Sequence, residues 1–176
     1  DHFKEINDNF GQEYGDFVLK KTAECISGCT SEGQKVYKLV ADEFLILDVA
    51  SDEAKDADKL YDKVREAIDR FIETNEFKVM YTVSGGIVPF AALKGNQCSE
   101  ALKLTDFALN EAKKLGRNRC YIFNGETYRK FLRKREITQE LREAVINGFQ
   151  GFTAFYQPVF AEDKKVPYGA EALMRF

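Results

Sequence analysis

Two adjacent acids, Asp42 and Glu43, stand between two stretches with strand character. Lys35-Val36-Tyr37-Lys38-Leu39 alternates polar and apolar residues, and Phe44-Leu45-Ile46-Leu47 is a short apolar run of the buried-strand kind. A tight turn between them makes a hairpin whose tip is held by its own ladder, so it can present carboxylates to a ligand. The plainer alternative is a hydrophilic turn that binds nothing. A second group of charges, Lys130, Arg133, Lys134 and Arg135, fits a solvated helix face better than a phosphate site.

The bulk properties narrow the field. A chain of 176 residues is long enough for one good core, or for one domain plus a fragment. The net charge of −3 gives no reason to expect nucleic-acid binding. Cys25, Cys29, Cys98 and Cys120 lack C-x-x-C spacing, and His2 is the single histidine, so neither a disulfide framework nor a zinc site is indicated. They are expected to be reduced thiols in a cytoplasmic protein. No apolar run reaches membrane-spanning length, so a membrane would be met only through upstream parts of a longer parent.

The elements that must position the acids follow from periodicity. Asp16 is placed to cap a helix to about Ser27, burying Val18, Thr22, Cys25 and Ile26. Ser51 to Thr74 is the clearest helix, with Ser51 as N-cap and a core stripe of Ala57, Leu60, Tyr61, Val64, Ile68, Phe71 and Ile72. Lys78 to Val83 reads as a strand before a Ser84-Gly85-Gly86 bend. Cys98 to Leu115 is a second amphipathic helix, stopped by Gly116. Cys120 to Phe123 is a short strand, Tyr128 to Gly148 a charged connector, and Phe152 to Phe160 an aromatic strand-like segment. This order predicts a layered α/β (α+β) domain with a mixed sheet.

Four blocks in order make a resemblance specific. Val40-Ala41-Asp42-Glu43-Phe44 resembles the signature turn of GGDEF domains, the diguanylate cyclase family, with both glycines replaced. Asp1-His2-Phe3-Lys4-Glu5-Ile6-Asn7-Asp8, Phe10-Gly11 and Gly15-Asp16 resemble its D-x-F-K-x-I-N-D…G-x-x-x-G-D run. Thr82 to Ile87 and Ala112 to Asn118 are similar to two further blocks. The resemblance implies a nucleotidyl-cyclase-like palm, a mixed central sheet flanked by helices, over residues 1–127. It implies that Asn7 and Asp16 read guanine, that Lys113 and Arg117 meet phosphates, and that Asp42 and Glu43 hold Mg²⁺ or Mn²⁺ with GTP. The i, i+4 spacing of the two cations does put them on one helix face. In that family a dimer joins two GTPs into cyclic-di-GMP, and the resemblance implies a homodimer in the parent.

The departures from the family pattern shape the functional expectation. Val40 and Ala41 replace glycines that take φ > 0 and let phosphates approach the backbone. The family's first metal-binding aspartate would lie two residues before Asp1, outside this sequence. The R-x-x-D product site would run from Ser31 to Gln34 and has neither its arginine nor its aspartate, so product feedback there is not expected. The leading expectation is a degenerate module that binds GTP or transmits dimer geometry. An active cyclase and a scaffold without nucleotide are the alternatives.

Tyr156-Gln157-Pro158-Val159 with Gly169-Ala170-Glu171-Ala172-Leu173-Met174-Arg175-Phe176 resembles the opening of an EAL domain, the cyclic-di-GMP phosphodiesterase family. The resemblance implies that residues 128–148 are a linker helix and 149–176 an incomplete EAL barrel fragment. It makes Glu171 a metal ligand and Gln157 and Arg175 substrate-contacting residues. A barrel of that kind needs roughly 200 residues or more, so the fragment carries no activity by itself. The first strand of the GGDEF sheet is also missing, and Phe152 to Phe160 is expected to fill its place.

Overall fold

The computed structural model describes residues 1–49, 54–74, 80–93, 98–162 and 165–176. Two compact units divide the chain, Asp1–Gly125 and Glu126–Phe176.

The first unit opens with helix α1 (Phe3–Phe10), which the sequence reading did not assign, and helix α2 (Gln12–Cys29). Gly11, at φ 83°, breaks the two apart, and its N–H caps the Asn7 carbonyl at 2.9 Å. Helix α2 thus starts one turn before Asp16, which lies inside the helix and does not cap it. Strands β1 (Gln34–Lys38) and β2 (Phe44–Asp48) form the expected antiparallel hairpin in the register Lys38↔Phe44 to Gln34↔Asp48. Helix α3 covers Ala54–Thr74, and its expected cap Ser51 falls outside the described residues. Strand β3 is Gly85–Ile87, helix α4 Cys98–Lys114 and strand β4 Cys120–Ile122, with β3 and β4 parallel.

The core forms where α1, α2 and α3 meet. Ile6, Val18, Ile26, Leu60, Val64, Ile68, Ile72 and Tyr81 are buried together. Buried Thr22 is satisfied twice, donating to the Val18 carbonyl and meeting the Tyr81 hydroxyl, each at 2.8 Å. Leu104, Phe107, Ala108 and Ala112 line the buried side of α4, and the Phe107 ring stands edge-on to Tyr121 and Phe123.

The central sheet is smaller than the sequence reading expects. Of the strand assigned to Lys78–Val83, Lys78 and Val79 lie outside the described residues, and Met80–Ser84 carries no ladder. Side chains hold that segment in place of a neighbouring strand. The Tyr61 hydroxyl donates to the Val83 carbonyl at 2.8 Å, and the Thr82 and Ser84 hydroxyls donate to the Asp1 carboxylate. The glycines expected to bend the chain are themselves the strand. A Cβ on Gly85 would lie 2.9 Å from the Tyr61 ring and 3.1 Å from the Cys120 sulfur, so β3 is a strand only glycine can seat here.

Burial around Gly85 pushes Tyr61 from 10.0 and Cys120 from 9.0, both up to about 12. A raised folded-state pKa means the folded chain keeps a proton that the unfolded chain has lost. Stability is therefore expected to be flat below pH 9 and to fall as pH rises from about 9 to 12. Urea melts across that range test this, with Cys120→Ser delaying the onset; a flat profile to pH 11 would contradict it.

In the second unit, helix α5 (Gly125–Ile146) runs through the segment read as a connector, and its Lys130 and Arg133 pair with Glu126 and Glu136 along the helix. Strands β5 (Thr153–Phe160) and β6 (Pro167–Arg175) pair antiparallel. This overturns the expectation that Phe152 to Phe160 completes the first unit's sheet. The segment pairs with the tail's own strand, because a partner a few residues away costs far less loop-closure entropy than a distant one.

Candidate functional site

The turn between β1 and β2 is tight. Leu39 N donates to the Glu43 carbonyl at 3.0 Å, and Glu43 N donates to that of Val40 at 3.1 Å. Ala41 has φ 52°, a left-handed conformation that costs an alanine about 1–2 kcal/mol. Ala41 thus takes, at that cost, the positive φ that a turn glycine takes freely. Lys38 supports it by donating its ammonium to the Ala41 carbonyl, while lying 5.1 Å over the Phe44 ring. Val40 has no such conformation and stands 78% exposed at the tip. Asp42 is exposed beside it, and Glu43 is half-buried.

Asn7 and Asp16 are brought to one place by the α1–α2 corner. The Asn7 side chain lies against Gly15, so closely that a Cβ there would stand 1.8 Å from the Asn7 Oδ1. That Oδ1 is buried and has no hydrogen-bond partner. An unmet buried amide oxygen costs about 1–3 kcal/mol, so its retention calls for an explanation. Asp16 follows Gly15 and is exposed.

Lys113 and Arg117 meet at the end of α4, by a different route from the one their spacing implied. Helix α4 stops at Lys114. Gly116, at φ 116°, reverses the chain, with Arg117 N donating to the Ala112 carbonyl at 3.2 Å and Gly116 N to that of Lys113 at 3.4 Å. Arg117 and Asn118 continue at φ 60° and 47°, so Arg117 is delivered by a left-handed turn, not by helical repeat.

Asp42 and the two cations lie near the start of α1. Burial lowers the pKa of the Asp1 amino group below its ordinary 8.0; Asp42 opposes this, and Lys113 and Arg117 reinforce it. All three charges therefore lie within electrostatic reach of that amino group. The Asp1 carboxylate accepts from Ser84 Oγ at 2.8 Å and Thr82 Oγ1 at 3.0 Å, with Asn118 N at 3.5 Å. The parts played by Asp1, Ser84 and Gly15 were not assigned from sequence, although all three sit inside the matched blocks. At the R-x-x-D position the chain closes on itself: Gln34 accepts from Ser31 N at 2.9 Å and donates to Asp48 at 2.7 Å.

In the tail, Gln157 and Glu171 are direct cross-strand partners, and Arg175 is four residues beyond Glu171. Strand alternation puts all three on one face of the ribbon.

Residues 1–119 match the family described as "Diguanylate cyclase, GGDEF domain". The chain belongs to the GGDEF family, whose domains occur in cyclic-di-GMP signalling proteins. It is 29% identical, over its full length, to the cyclic di-GMP phosphodiesterase NbdA of Pseudomonas aeruginosa, of which it covers 22%. It is 30% identical over 98% of its length to the signaling protein YkoW of Bacillus subtilis, of which it covers 21%. The active GGEEF domain of a Vibrio cholerae diguanylate cyclase superposes with TM-score 0.59 at 29% identity, over 70% of this chain and 78% of that one. The chain thus spans about a fifth of the curated relatives named here. Among the described residues, no helix is long and apolar enough to cross a membrane.

Proposed function

We propose that this chain is a guanine-nucleotide-binding regulatory module of a cyclic-di-GMP signalling protein, with a signature turn altered away from cyclase work. The unmet Asn7 Oδ1 beside Asp16 is the observation that carries this reading. Guanine offers N–H donors on its Watson–Crick edge, and two acceptors, an amide oxygen and a carboxylate, match them; adenine has an acceptor at the ring nitrogen there. Lys113 and Arg117 take the phosphates, the arginine as a planar fork and the lysine as a point charge.

The turn acids fit a Mg²⁺ or Mn²⁺ ion that arrives with the nucleotide. Among the described residues no group of three or more His, Cys, Asp or Glu side chains gathers. Two carboxylates, Asp42 and Glu43, with phosphates completing the shell, are the donor set such ions take in nucleotide sites. Asp42 and Glu43 would hold the ion, which would supply positive charge to offset that of the phosphates. The chain's own residues bind and orient: Asn7 and Asp16 fix the base, and Lys113 and Arg117 draw the phosphates toward Asp42. Val40 stands exposed at the turn and brings a branched side chain where a glycine would leave the backbone open to phosphate.

One observation favours the second reading, an active cyclase working as a homodimer of the parent. Ala41 keeps a left-handed backbone at the turn. For the tail, Gln157, Glu171 and Arg175 on one face support the opening of an EAL domain, and so does the full-length alignment with a phosphodiesterase. Cyclic-di-GMP is the matching ligand of the parent there, and phosphodiesterase its activity.

Calorimetric titration with GTP and Mg²⁺, against ATP, tests the reading. Binding of GTP at least ten-fold tighter than ATP is expected, with no cyclic-di-GMP formed by the chain extended upstream. Equal affinity for both nucleotides, or none for either, would overturn the guanine assignment; product formation would establish the cyclase.

A further inference from the structure

Away from the nucleotide site, two thiols share one face of α2. Cys25 and Cys29 are one turn apart, and both point at α3. The Cys25 thiol donates to the Ala67 carbonyl at 3.9 Å and the Cys29 thiol to that of Lys63 at 3.5 Å, two acceptors that are themselves one turn apart. Both thiols are free and half-buried.

The spacing excludes one pairing and favours another. Residues four apart on a helix have Cβ atoms about 5–6 Å apart. A disulfide needs about 3.5–4.5 Å, so these sulfurs do not close directly without distorting the helix. A single atom inserted between them lengthens the bridge and matches the gap. Burial, Cys29 and Glu24 raise the Cys25 pKa and Lys21 opposes them, so Cys25 is not a ready nucleophile. Soft cations are what thiolates select, and a site of only two sulfurs suits a low-coordinate one. A tetrahedral zinc site needs four ligands, and the described residues gather no group of even three.

We propose that Cys25 and Cys29 form a two-thiolate site for a soft monovalent cation, with Cu(I) as the probe. Binding turns two thiols into a bis-thiolate of net charge −1, and both protons leave to solvent. No oxidation state changes. Cys29, at the end of α2, gives access from the rim of the α2–α3 seam, and Cys25 lies one turn further along it.

The test is an anaerobic titration of the whole chain with Cu(I) against a chromophoric Cu(I) chelator. One equivalent per chain is expected to be withdrawn from the chelator, with apparent affinity at least 100-fold weaker in Cys25→Ser and in Cys29→Ser, and unchanged in Cys98→Ser. Alkylation with mass mapping supplies a reading on the unaltered chain: Cu(I) should protect Cys25 and Cys29 while Cys98 is labelled. Failure to compete, protection confined to other cysteines, or full affinity in both serine variants would overturn the proposal. None of these outcomes depends on whether GTP binds.

Discussion

Gly15→Ala is expected to leave the fold standing and to remove the guanine site. Alanine improves on glycine inside a helix by about 0.5–1 kcal/mol, so α2 itself gains. The cost falls on one neighbour. The new Cβ would lie 1.8 Å from the Asn7 Oδ1 and 3.1 Å from the tip of the Phe3 ring. The Asn7 amide can swing toward solvent, and a swung amide no longer meets the base. GTP affinity should fall at least ten-fold, about 1.4 kcal/mol, while scanning calorimetry finds the melting temperature within a few degrees of the parent chain. Unchanged GTP affinity would mean that Asn7 does not read the nucleotide. A large loss of stability would mean that its contact with Gly15 is packing and nothing more.

Gly86→Ala should act in the opposite way, on the fold first. Its Cβ would stand 2.4 Å from the Leu109 nitrogen, 2.9 Å from the Ala108 carbonyl carbon and 2.9 Å from the Thr105 oxygen, all backbone atoms of α4. No rotamer relieves a clash with backbone, so β3 must part from α4 or α4 must move. Overpacking of this kind costs about 1–3 kcal/mol, and contact with backbone puts Gly86→Ala at the upper end, a fall in melting temperature on the order of 10 °C. In urea the midpoint should drop with the slope unchanged. A change under about 0.5 kcal/mol, the size of an ordinary surface substitution, would refute the close seating of β3 on α4. Because Lys113 lies in the last turn of α4, just before the Gly116 reversal, the proposed phosphate contacts should weaken along with stability.

Where local chemistry decides the structure, the sequence was legible. The hairpin, α3, α4 and the stop at Gly116 all follow from periodicity and turn residues, and the observed elements match them. Where the partner is distant, it was not. Met80–Ser84 has strand composition, but a ladder needs a neighbour, and side chains from α3 and from Asp1 hold it instead. Phe152–Phe160 was assigned the wrong partner for the same reason. The candidate site was legible only as motif blocks. Nothing in residue type shows that Gly15 makes room for Asn7, or that a left-handed turn delivers Arg117; both are facts of close approach.

The signature hairpin keeps a glycine's shape with an alanine in it. Ala41 stays left-handed at φ 52°, held by the ladder below it and by Lys38, so the replacement altered the surface of the turn and left its path intact. Reversal of Ala41 to glycine would relieve strain and demand no rearrangement, and Val40 would remain as the one bulky obstacle. At Ala41 the turn therefore differs from a glycine turn by a single methyl group and not by its backbone path.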